Sequence, residues 1–90
     1  MNRAIITVIG QDKVGVIAKV TAVIAECNVN ILDINQTLLQ DIFTMVMLCD
    51  IGGCNVDFKR FQEKLDDVGE EIAMKIQIQK EEIFSYMHRI

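Results

Sequence analysis

A ferredoxin-like α+β sandwich is the fold this sequence predicts: a four-stranded antiparallel sheet with two helices on one face, in the order βαββαβ, followed by a short C-terminal helix. Three observations predict it. Two stretches of helical period, 16–27 and 58–68, are each flanked by short apolar or alternating runs. The two middle runs are separated only by Gln40-Asp41, which leaves room for a hairpin turn and no more. The first and third runs are apolar on both faces, and right-handed crossovers put those two strands in the middle of the sheet.

Each element has its own signature. The first strand, 3–9, is β-branched and apolar on both faces. The helix over 16–27 carries one stripe of Ile17, Thr21, Ile24 and Asn28 and a second of Val16, Val20, Val23 and Cys27. Only Lys19 and Glu26 are charged, so that helix is expected to bury more than one face. Asn28 and Asn30 end it and open the second strand, 29–39, where Leu32, Ile34 and Leu38 alternate with Asp33, Asn35 and Thr37. The third strand, 42–50, is apolar through Phe43, Met45 and Met47 on one side and Val46 and Leu48 on the other.

Gly52-Gly53 breaks the chain, and Asn55 or Asp57 caps the second helix. Phe58, Phe61, Leu65 and Val68 form its inner stripe, Lys59, Arg60, Glu63, Lys64, Asp66 and Asp67 its solvated face, and Gly69 its C-terminal cap. The fourth strand, 72–79, turns Ile72, Met74, Ile76 and Ile78 inward and Lys75, Gln77 and Gln79 outward, as an edge strand does. Ile83, Phe84, Met87 and Ile90 then recur at helical spacing over 80–90, and this apolar tail must dock on the open face of the sheet or on another subunit.

One domain, 1–90, is expected, with its core over 3–79 and the helical extension over 80–90. A hydrophobic fraction of 51% rules out a disordered chain and hints at more apolar surface than one subunit covers. A net charge of −4 disfavours direct binding to nucleic acid phosphates. No run reaches the roughly 20 apolar residues of a membrane span, and no signal-peptide pattern leads the chain, so a cytoplasmic protein is expected. Cys27, Cys49 and Cys54 lack Cys-x-x-Cys spacing and read as reduced thiols, with Cys54 the most exposed.

The chemistry concentrates in Gly10-Gln11-Asp12-Lys13-Val14-Gly15-Val16-Ile17. A glycine-bearing turn between a strand and a helix aims unpaired backbone N–H groups at one spot, which suits a small carboxylate. Donors at residues 14 to 16 would take the carboxylate of an amino acid, and Asp12 or the side-chain oxygen of Asn30 would take its ammonium. Asp12 as a simple helix cap is the competing reading. The loop has no cysteine, histidine or second carboxylate, so neither a metal nor another cofactor is expected. Strand aromatics for stacking RNA bases are limited to Phe43. An acylphosphatase would want arginine where Ala18-Lys19 stands, and His88 has no nucleophile beside it, so no enzyme is expected and acylphosphatase activity is the remote alternative.

Gly10-x-Asp12-x-x-Gly15-Val16-Ile17, with Asn28-Val29-Asn30-Ile31 a helix later, resembles an ACT domain, the small regulatory module of amino-acid-metabolism enzymes and some transcriptional regulators. The likeness covers residues 3–79, and the tail resembles that of short, stand-alone bacterial ACT proteins of uncharacterised function. It implies a regulatory module that binds an amino acid or similar small carboxylate between subunits, with Gly10, Asp12, Lys13, Val14, Gly15, Val16, Asn30 and Ile31 at the site. It also implies pairing through the first helix and second strand. The apolar stripe on that helix needs cover as well, so a homodimer burying Val16, Val20, Val23, Ile31 and Asp33 is expected. A partner enzyme or regulator would receive the signal, and a ligand-free protein-interaction module is the alternative.

Overall fold

The two strands that are apolar on both faces do lie in the middle of the sheet. In the computed structural model, which describes residues 2–81, the elements are β1 (Arg3–Gln11), α1 (Val16–Glu26), β2 (Asn30–Leu39), β3 (Ile42–Asp50), α2 (Phe58–Ile72) and β4 (Met74–Lys80). One antiparallel sheet runs β2-β3-β1-β4. The core lies between its helix-bearing face and the two helices, where Ile6, Val8, Met45, Met47, Val20, Ile24, Phe61 and Leu65 are at most 1% exposed. The other face of the sheet is open, and Ile9, Ile42 and Val46 on it are 39–49% exposed. The C-terminal helix expected over 80–90 falls on 82–90, outside the described residues, while Lys80 still belongs to β4.

Several expectations shift by a residue or a role. α1 buries one mixed stripe, Val16, Val20, Ile24 and Cys27, instead of two. These positions fall at i, i+4, i+8 and i+11, the straightest row a 3.6-residue period allows. In β2 the register slips between Ile31 and Asp33, a bulge that interrupts the alternation read from Leu32 onward. Ile34 therefore sits opposite Met47 on the helix-bearing face, and Asp33 opposite Leu48 on the open one.

Asp57 is the cap of α2, its Oδ1 accepting from the Arg60 N–H at 2.8 Å. Asn55 instead donates its Nδ2–H to the Glu26 carbonyl at 2.9 Å. Gly69 does not end α2. The helix continues to Ile72 and stops at Ala73, which takes the left-handed conformation at φ 55°. Gly69 is interior and buried, because α2 passes so close to β4 that a Cβ there would stand 2.8 Å from the Met74 carbonyl oxygen. Ile72 consequently closes α2 rather than opening β4, while its side chain still faces the core at 7% exposure.

Candidate functional site

The loop after β1 is held by the hairpin between β2 and β3. The Asp12 N–H donates to the Asp41 carbonyl at 2.8 Å, and Gln11 Nε2 donates to Asp41 Oδ2 at 3.2 Å. From there the chain exposes Asp12, Lys13 and Val14, the last completely, before entering α1. Gly15 is the N-cap residue, left-handed at φ 90°, with no side chain to cap the helix. A Cβ on it would meet nothing within 4 Å, so glycine is required there by backbone conformation and not by space.

The first helical hydrogen bond runs from the Lys19 N–H to the Gly15 carbonyl at 3.0 Å. The N–H groups of Val16, Ile17 and Ala18 are therefore the open donors of the first turn, backed by the positive end of the helix dipole. The donor set lies two residues further along than the one read from sequence. Asp12 does not cap α1, and it is exposed.

A depression of about 410 Å³ opens beside this turn, lined by Asp12, Ile17, Gln36, Thr37, Leu38 and Phe43. The residues from β2 and β3 were not singled out in the sequence. They arrive through register alone: Gly10 pairs with Phe43 across β1 and β3, and Phe43 with Leu38 across β3 and β2. Gly10 sits inside this ladder, where a Cβ would strike the Met74 sulfur of β4, which accounts for glycine there by packing.

Asn30 and Ile31 lie elsewhere. Asn30 is exposed, opens β2 opposite Asp50, and follows the C-terminal end of α1, whereas Asp12 precedes its N-terminal end. Eleven helical residues at ~1.5 Å each separate the two by ~16 Å or more within one subunit. Between them runs a groove of about 580 Å³, formed by Ala18, Thr21, Ala22 and Ala25 of α1 and Asn30 and Ile31 of β2. Among the described residues β2 is an edge strand, with a neighbouring strand on one side only.

Of the residues expected at a subunit interface, Val16 and Val20 are committed to the subunit's own core at 2% and 0% exposure. They cannot also face a partner. Val23 and Ile31 are half-buried, and Asp33 is exposed with Oδ1 accepting from the Ile34 N–H at 2.9 Å. Among the described residues no three His, Cys, Asp or Glu side chains converge as a metal site requires. Burial pushes the Cys49 thiol up to about 11, and burial, then the nearness of Cys54, raises that of Cys27.

Comparison with known proteins finds relatives over the length of the chain. A family model described as the ACT domain matches residues 2–79. A UPF0237 protein of Methanocaldococcus jannaschii is 47% identical over 90 residues, covering 100% of both chains. The solved structure of an ACT domain protein from Streptococcus pneumoniae superposes with a TM-score of 0.81 at 40% identity, over 92% of this chain and 93% of that one. The ligand-free regulatory subunit of aspartate kinase from Thermus thermophilus shares the fold at TM-score 0.66 and 24% identity, over 88% of this chain and 50% of that one.

Proposed function

Because the chain belongs to the ACT domain family, we propose that it is a stand-alone regulatory module that binds an amino acid or similar small carboxylate at the interface of a two-fold homodimer. The observation that carries this reading is the placement of the two half-sites. The Asp12 loop and Asn30 sit at opposite ends of one α1–β2 layer whose outer edge, among the described residues, has no hydrogen-bonded strand beside it. When two such edges pair antiparallel about a two-fold axis, the start of one β2 comes beside the end of the other. Asn30 of one subunit then approaches the Asp12 loop and the Ile17–Leu38 depression of its partner.

In that arrangement the first-turn N–H groups of α1 bind the carboxylate, Asp12 binds the ammonium, and Asn30 supplies a donor and an acceptor from across the interface. The small residues Ala18, Ala22 and Ala25 let the paired α1–β2 layers approach closely. The aspartate kinase subunit of the same fold is a regulatory one, in keeping with such a role. The module has no catalytic task of its own, and a partner enzyme or regulator reads its state. A second reading, protein interaction without a small ligand, draws on the exposed apolar residues of the open sheet face.

Thermal denaturation against the twenty amino acids tests the proposal. A ligand at 100 times its Kd stabilises the folded state by about 2.7 kcal/mol, which raises the melting temperature by roughly 10–20 °C in a domain of this size. One amino acid or a chemically related group is expected to do so, and Asp12→Asn and Asn30→Ala each abolish the shift. If neither an amino acid nor a panel of small carboxylates moves the transition of the intact dimer, the sensing role fails and the interaction reading stands.

A further inference from the structure

Three hydrogen bonds fasten the loop between β3 and α2 to the end of α1. Asn28 Nδ2 donates to the Gly53 carbonyl at 2.9 Å, the Asn55 N–H donates to the Cys27 carbonyl at 3.1 Å, and Asn55 Nδ2 donates to the Glu26 carbonyl at 2.9 Å. Residues 26–28 and 53–55 are thus laid side by side, with Cys27 in the middle of one segment and Cys54 in the middle of the other. The Cys27 carbonyl to Asn55 N–H bond holds the two Cα atoms within roughly 8 Å of each other, next to the 4.4–6.8 Å span of disulfides.

The two sulfurs are not equivalent. Cys27 is 1% exposed at the end of α1, while Cys54 is half-buried and lines a cavity of about 190 Å³ bordered by Phe58 and Lys80. One thiol is reachable from solvent and the other is covered. Cys49, the third, is 0% exposed on β3.

We propose that Cys54 and Cys27 form a redox couple, Cys54 the attacking thiol and Cys27 the resolving one, that closes to a disulfide between α1 and the β3–α2 loop when a low-molecular-weight disulfide such as oxidised glutathione is present. The Cys54 thiolate attacks one sulfur of the oxidant, forming a mixed disulfide and releasing one glutathione thiolate, which takes up a proton. The Cys27 thiolate then attacks the Cys54 sulfur, forming the intramolecular bond and releasing the second glutathione. Two protein thiols are oxidised, one disulfide is reduced to two thiols, and the protons lost by the cysteines end on the glutathiones. The closed bond pins the segment that leads through Asn28 and Val29 into Asn30, so the oxidation state is set beside the proposed second half-site.

Once Cys54 is held in the mixed disulfide it carries no thiolate charge, and burial, with Glu26, still holds the Cys27 proton on against Lys64 and Arg60, so the second step should be the slower one. At neutral pH the mixed disulfide at Cys54 should therefore accumulate, and its conversion should quicken toward alkaline pH.

The test incubates the 90-residue protein in glutathione buffers of graded redox ratio and maps disulfides by peptide mass spectrometry under non-reducing conditions. The expected product is a Cys27–Cys54 crosslinked peptide two mass units lighter than its reduced parts, with Cys49 still free. The linked form should melt on the order of 10 °C higher, because the bond constrains a long loop in the unfolded chain. Cys54→Ser should form no link, and Cys27→Ser should stop at the glutathione adduct of Cys54. A native fold by circular dichroism that yields only the Cys54 adduct, at neutral and alkaline pH alike, would overturn the proposal, as would a crosslink involving Cys49.

Discussion

Gly15 and Gly69 carry the same absent side chain for unlike reasons. At Gly15 an added methyl finds open space but the backbone stands at φ 90°, so Gly15→Ala should cost about 1–2 kcal/mol of left-handed strain in urea denaturation. Gly69 lies inside α2, where alanine alone would be favoured by ~1 kcal/mol. The Met74 carbonyl 2.8 Å from the added Cβ belongs to the backbone and cannot swing aside, so Gly69→Ala should instead destabilise by roughly 1–3 kcal/mol. The first glycine was legible in the sequence, since it precedes a helix. The second was misread as a cap, because its reason is a contact with a strand that the local pattern does not contain.

Cys49 offers a residue-scale prediction of another kind. Its thiol is raised from 9.0 to about 11 by burial. The unfolded thiol ionises first, so the stabilisation is complete below pH 9 and is lost as pH rises through 11. Unfolding free energy of the wild type should fall by about 3 kcal/mol more than that of Cys49→Ala across that window. Parallel slopes for the two proteins would mean that the thiol is not held neutral by the core.

At the scale of elements, local signals and tertiary ones part company. The Asp57 cap is a sequence-local bond, and Asp57→Ala should cost about 1 kcal/mol through the lost Arg60 N–H acceptor. The Lys19–Glu71 pair at 2.7 Å ties α1 to α2 but is about half exposed at both ends, so Glu71→Gln should change stability by less than about 1 kcal/mol. Urea denaturation of the two variants should rank them in that order despite the shorter distance of the ion pair.

The order of strands was readable because two-sided hydrophobicity marks a central strand wherever it occurs. The β2 bulge was not, since Leu32 has nothing in its own sequence that excludes it from the ladder. The same holds for the site. Asp12 and Gly15 stood out through turn chemistry, and Asn30 through the resemblance to an ACT domain. Gln36, Thr37, Leu38 and Phe43 reach the Asp12 loop only through the pairing of three strands, which no residue pattern announces.

The whole molecule decides whether the two half-sites ever meet. Val16 and Val20 are spent on the subunit core, so the proposed pairing rests on the groove of Ala18, Ala22 and Ala25 and on the free edge of β2. Ala25→Arg places a long charged chain in that groove from an exposed position, and light scattering should show monomers with an unchanged circular dichroism spectrum. Those monomers should also lose the ligand-induced thermal shift, although Asp12 and Asn30 are untouched.

A sharper consequence follows from two-fold symmetry. If each site takes Asp12 from one subunit and Asn30 from the other, a dimer of one Asp12→Asn chain and one Asn30→Ala chain has one site with both residues changed and one with both intact. Unfolded together and refolded at equal concentrations, the two inactive variants should assemble so that roughly a quarter of all sites regain ligand, as counted by calorimetry. A mixture that binds nothing while forming mixed dimers would place the whole site within one subunit, which the ~16 Å length of α1 makes the harder arrangement to build.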